Sequence, residues 1–121
     1  MDDYDDTPSP LAVNDPYSDE WDDQSFLGRL MEEGLFDEDG YVAVEAAMAS
    51  AVSDGLDFPT LGQIIRIIER ITLLLKRHTD AGDDYRIGNL DDRQIADFDQ
   101  RVRYCLLEIS MGNVPDVSRW E

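Results

Sequence analysis

The sequence predicts an all-α domain, a compact bundle of about four main helices with an irregular acidic N-terminal segment. Apolar residues recur at three- and four-residue spacing in four separate stretches, and no alternating run reads as a strand. Glycines at 34, 55 and 112 fall where three of those patterns stop. The first 24 residues hold nine carboxylates, three prolines and no Lys or Arg, so they lack the apolar content that offsets ordering entropy. A chain of 121 residues supports one core. We therefore divide it into an acidic irregular segment, 1–24, and a helical domain, 25–121.

Within the N-terminal segment Tyr4, Leu11, Val13, Tyr17 and Trp21 are the side chains able to pin it to the body; otherwise it is a solvated tail. From Ser25, Phe26, Leu27, Leu30 and Met31 share a helical face that Gly34 terminates. A second helix follows Phe-Asp-Glu-Asp-Gly, with Tyr41, Val44, Met48, Ala51 and Val52 in register and Gly55 as its stop. The third is expected to start with a capping box at Thr60 and Gln63. It carries a wide apolar arc formed by Leu61, Ile64, Ile65, Ile67, Ile68, Ile71, Leu74 and Leu75. Arg66, Glu69, Arg70, Lys76 and Arg77 take the opposite side, where Leu73 is the one apolar residue out of place. The fourth helix opens at Asp91 and Asp92 and spaces Ile95, Phe98, Val102, Cys105 and Ile109 by three and four, with Gly112 and Pro115 closing it. The expected core comprises Phe26, Leu30, Tyr41, Met48, Ile64, Ile68, Ile71, Leu75, Ile95, Phe98, Val102 and Ile109.

A net charge of −18 and a pI near 4.1 oppose direct nucleic-acid binding and adhesion to anionic lipid. The natural complement is a basic partner. The acidity is not confined to the tail: removing its nine carboxylates from −18 leaves −9. Cys105 is the only cysteine, so an intramolecular disulfide and a cysteine zinc site are excluded. No basic and apolar leader opens the chain, and its longest apolar stretch is broken by Arg66, Glu69 and Arg70. These features predict a cytoplasmic protein with no membrane segment.

Three constellations invite chemistry and are better read as structure. Asp37, Asp39 and Gly40 match the interior of a calcium-binding EF-hand loop, but Leu35 and Ala46 stand at its first and last liganding positions, so the acids are expected to open a helix. His78 precedes Asp80, Asp83 and Asp84 without a second catalytic element, and a helix C-terminus favours a histidine. Cys105 lies on an apolar face with no histidine partner in view. No catalytic residue, metal site or cofactor is expected.

The chain resembles the immunity protein 41 family, antidotes that bacteria carry beside polymorphic and contact-dependent toxins. The residues that carry the likeness are Ser25-Phe26-Leu27-Gly28, Arg66-Ile67, then His78 and Asp80. They continue with Tyr85-x-Ile87-x-Asn89-Leu90, Asp97-Phe98-x-x-Arg101 and Gly112-x-x-Pro115. The likeness covers Ser25 to Pro115, and Ile109-Ser110-Met111 stands where the family is rich in aromatics. It implies a non-catalytic protein that neutralises one cognate toxin, often a nuclease with a basic groove. The alternative that the charge supports is a phage-type nucleic-acid mimic acting on a DNA- or RNA-binding enzyme.

The expected contact is the loop before the fourth helix, where Asp80, Asp83, Asp84, Asp91 and Asp92 gather beside Tyr85; a solvated loop with a capping aspartate is the competing reading. Asp2, Asp3, Asp5 and Asp6 are expected to steer association, and the protein to be a monomer or weak dimer.

Overall fold

The computed structural model describes the backbone of residues 9–120 and the side chains of residues 9–118. Tyr4 and the four aspartates expected to steer association lie outside the described residues, as does the side chain of Trp120. Among the described residues there are five α-helices, α1 (Pro10–Val13), α2 (Phe26–Glu33), α3 (Glu38–Ser53), α4 (Phe58–Thr79) and α5 (Asp92–Ser110), then a 3-10 turn, Val117–Trp120, and no strand. The all-helical bundle expected from the periodicity is the observed fold. The long helix α4 is central: it packs against α5, α1 and α2, while α3 meets α1, α2 and the 3-10 turn.

Helix ends follow capping chemistry. Ser25 accepts a hydrogen bond from the Gly28 N–H at 3.1 Å, and Gly34 stops α2 in the left-handed conformation at φ 61°. Asp37 is the N-cap residue of α3, and Glu38 and Asp39 lie in its first turn, so the EF-hand-like acids open a helix. Asp91 and Gln94 form a reciprocal capping box on α5. The start expected at Thr60 is corrected: α4 begins at Phe58, where Asp57 accepts from the Thr60 N–H at 2.9 Å. Pro59 is accommodated because the first turn needs no intrahelical donor.

Every residue assigned to the core from spacing is buried, and Leu27, Val44, Ile67, Leu74 and Ile87 join them. Phe26, Phe36, Tyr41 and Phe98 form an aromatic cluster, with the Phe36 and Phe98 centroids 4.7 Å apart in edge-to-face contact. The apolar arc of α4 is narrower in the fold than in the sequence, because Ile65 is 50% exposed; Leu73, outside the arc, is 41% exposed as its side of the helix requires.

Residues 9–24 are joined to the helices as much by polar groups as by apolar ones. Leu11 and Ala12 are buried and Trp21 packs against the core, whereas Tyr17 is exposed. Asn14 is buried and accepts from the Leu27 N–H at 2.7 Å through Oδ1, while its Nδ2 donates to the Pro10 carbonyl. Asp15, 1% exposed, takes two hydrogen bonds from Arg66, 2.9 and 2.7 Å long, and one from the Tyr17 N–H.

Burial alone would raise the Asp15 pKa; the Arg66 hydrogen bonds, the Tyr17 N–H and the guanidinium charge outweigh it and hold the carboxyl below its usual range. A depressed folded-state value means stability that is present above the unfolded carboxyl pKa of about 3.9 and is lost as pH falls through the folded value. Arg66 is 40% exposed, so we expect Asp15→Asn to cost only about 1–2 kcal/mol at neutral pH. In urea titrations the gap between wild type and variant should close as the solution is acidified below about pH 4.

Candidate partner-binding surface

The segment between α4 and α5 is irregular, and its backbone is held by side chains. His78, in the last turn of α4, accepts from the Ile87 N–H at 2.9 Å through Nδ1. The histidine stands at the helix C-terminus, as expected, and there it also serves as an acceptor for the loop. Tyr85 O–H donates to the Leu30 carbonyl at 2.6 Å. Asn89 grips Phe36 reciprocally, Oδ1 accepting at 2.9 Å and Nδ2 donating at 2.8 Å, and Gly88 N–H donates to Gly34 O at 2.8 Å. The loop is therefore sewn to the short connection between α2 and α3.

That arrangement separates the six residues expected at the interface into two groups. Asp83 is engaged by Arg77 at 3.0 and 3.3 Å and by the Tyr85 N–H. Its pKa is lowered chiefly by the Arg77 hydrogen bond. The Tyr85 ring lies under Arg77, 5.2 Å from the guanidinium carbon, and burial pushes its hydroxyl up to about 12. Asp91 is spent on the cap of α5. Asp80, Asp84 and Asp92 are exposed and supply the outward charge of this end of the molecule. Asp80 also accepts from the Gly82 N–H, which tightens the turn.

Beside the loop is a cleft of about 320 Å³ between the starts of α3 and α5, lined by Phe36, Glu38, Gln94, Asp97, Phe98 and Arg101. Beneath it lies a buried ionic group. Glu45, 1% exposed, is met by Arg101 at 2.6 and 3.2 Å, and the Cys105 thiol lies 3.8 Å from one of its oxygens. Arg101 also reaches Glu38 at 3.4 Å and sits over the Tyr41 ring. Burial first, and then the Glu45 charge, push the Cys105 thiol up to about 12 and raise the Tyr41 hydroxyl further still. At neutral pH the thiol is protonated and acts as a weak donor, which is the chemistry of a structural cysteine.

Asp15, Glu45 and Asn89 are polar residues whose bonds tie distant parts of the fold together. A signal for Glu45 and Arg101 exists in the sequence: helical spacing puts Glu45 between Tyr41 and Met48, and Arg101 between Phe98 and Cys105, on two faces that must be buried. Two charges on facing apolar stripes imply a pair. Asp15 carries no such mark, since it sits in a run of acids.

The basic side of α4 is spent largely on the fold. Arg66 and Arg77 pair with Asp15 and Asp83, and Arg70 Nη1 lies 3.9 Å from Met31 Sδ while its Nε is buried without a hydrogen-bond partner among the described residues. On α5, Arg101 pairs with Glu45 and Arg103 with Asp99. Among the described residues no three of His, Cys, Asp and Glu are grouped to hold a metal ion, and no helix is long and apolar enough to cross a membrane.

No family model matches the chain, and neither a curated protein nor a solved structure shows significant similarity to it. The motif residues quoted between Ser25 and Pro115 have identifiable work in this fold. Ser25 caps α2, Gly28 lies too close to the Asp23 carbonyl for any larger residue, and Ile67 is core. Tyr85, Ile87 and Asn89 sew the loop, Arg101 neutralises Glu45, and Pro115 is buried. They build and brace the scaffold.

Proposed function

We propose that the chain is a non-catalytic immunity-type protein that binds a basic toxin protein in the cytoplasm and neutralises it through an acidic surface. The observation that supports this most is the distribution of charge. Arg66, Arg77, Arg101 and Arg103 are each tied to one of the chain's own carboxylates, while the chain as a whole carries −18. These four bases therefore do little to screen the exposed acids, and the outward field attracts positive charge over about one Debye length. Acids of the loop, with Glu38 and Asp97 at the cleft, offer carboxylates to lysines and arginines of the partner.

The test is association kinetics with the product of an adjacent toxin gene. We expect added salt to slow association steeply and to change dissociation little. Asp84→Lys combined with Asp92→Lys should weaken binding by roughly tenfold or more, because both acids are exposed and unlike Asp83 neither holds the loop. Affinity that ignores both salt and the double reversal refutes the reading.

A further inference from the structure

Two adjacent helices carry more apolar surface than the core uses. Ile65 and Leu73 on α4 and Leu106 on α5 are between 41% and 50% exposed. At 100° per residue Ile65 and Thr72 flank the strip that α4 buries, with Lys76 and then Leu73 farther round the helix, and Ala96, Asp99, Arg103 and Leu106 flank the buried strip of α5. These strips border a groove made of two clefts, about 550 and 420 Å³, that share Thr72 and Lys76 as lining residues. From Ile65 to Thr79 it runs for roughly 21 Å at 1.5 Å per residue, about four helical turns.

We infer that this groove is the docking site for an amphipathic helix of a basic protein, laid against α4 and α5 with its apolar stripe on Ile65, Ile68, Leu73 and Leu106. The inference rests on the basic partner proposed above and adds to it the element by which that partner is held. Charge selects the occupant. A second copy would bring −18 against −18, and residues 1–8 of the chain itself carry four aspartates, so neither suits a groove in so acidic a molecule. Glu69 and Asp92 are exposed beside the groove and engage in no ion pair among the described residues; Arg103 is paired with Asp99, so against these two acids stands the exposed Lys76 and the balance is negative. Lysines or arginines flanking the apolar stripe of a partner helix would meet them.

The probe is a Leu/Lys peptide of about 18 residues, five turns, with Leu at helical spacing, compared with a scrambled peptide of the same composition. Binding is followed by calorimetry and by amide chemical shifts of the full chain. We expect the patterned peptide to bind one-to-one, to become helical, and to shift the amides around Ile65, Leu73 and Leu106; the scrambled peptide should bind at least roughly tenfold more weakly. Leu73→Asp with Leu106→Asp makes the protein more acidic while removing apolar surface. Pure attraction predicts tighter binding, and docking in the groove predicts a loss of at least roughly tenfold. Leu73→Ala with Leu106→Ala gives the same test without added charge, with a smaller loss expected.

Equal binding of both peptides, shifts centred away from the groove, or unaltered affinity of the alanine pair overturns the inference, as does a dimer that the aspartate pair dissolves. Should the inference fail while an adjacent toxin still binds with steep salt dependence, the proposed function stands without the groove. If the patterned peptide docks as expected but no basic protein associates, the groove stands and the proposed function falls.

Discussion

Replacing Arg101 by alanine is expected to destabilise the protein by about 3–5 kcal/mol, a large part of the roughly 5–15 kcal/mol that holds a domain of this size together. The cost arises from what is left behind. Glu45 is 1% exposed, and both its oxygens are met by the guanidinium, at 2.6 and 3.2 Å. Without Arg101 the carboxylate keeps neutral donors alone, the Cys105 thiol at 3.8 Å and the Tyr41 hydroxyl beside it. The Tyr41 ring also loses the cation that covers it at 4.9 Å. Urea unfolding followed by circular dichroism checks the magnitude.

The double variant Glu45→Leu with Arg101→Met separates two meanings of the pair. If the pair matters because each ion needs the other, removing both should recover most of the loss, since burying two ions carries a desolvation cost that apolar residues avoid. A double variant as unstable as Arg101→Ala would show that the network including Glu38 and Tyr41 has a shape that apolar side chains cannot reproduce.

What the sequence disclosed and what it hid differ by the range of the interaction. Helical spacing and caps are local, so α2, α3 and α5 could be read almost to the residue: Gly34 stops one and Asp91 opens another. The start of α4 was misjudged because Thr60 and Gln63 mimic a capping box, while the cap that forms is Asp57, on the far side of Phe58 and Pro59. Ile65 belongs to the apolar arc and is half exposed, because periodicity gives the width of an arc and not which neighbours cover it. The partners of Asp15, Glu45 and Asn89 lie 51, 56 and 53 residues away, beyond any local pattern. Asp83 and Tyr85 were assigned outward as part of an acidic loop, yet Arg77 and the Leu30 carbonyl claim them.

Gly34→Ala is the second large effect expected, and it probes the loop that carries the exposed acids. Gly34 has φ 61°, which by itself costs an L-residue roughly 1–2 kcal/mol. A Cβ there would also run into the carbonyl oxygen of Arg86. That atom is backbone, so relief requires the loop to move away. The Gly88 N–H to Gly34 bond, the Tyr85 hydroxyl on Leu30 and the two Asn89 bonds to Phe36 all span this contact. Losing a few of them at about 1 kcal/mol each brings the total to about 3 kcal/mol or more. Gly55→Ala is the matched control, because Gly55 also has positive φ, 96°, but nothing lies within 4 Å of the added Cβ. It should show the conformational cost alone, about 1–2 kcal/mol. Equal losses for the two variants would mean that the loop yields freely to Gly34. In that case Asp80, Asp84 and Asp92 are not presented on a fixed surface, and their contribution to a partner would be steering without docking.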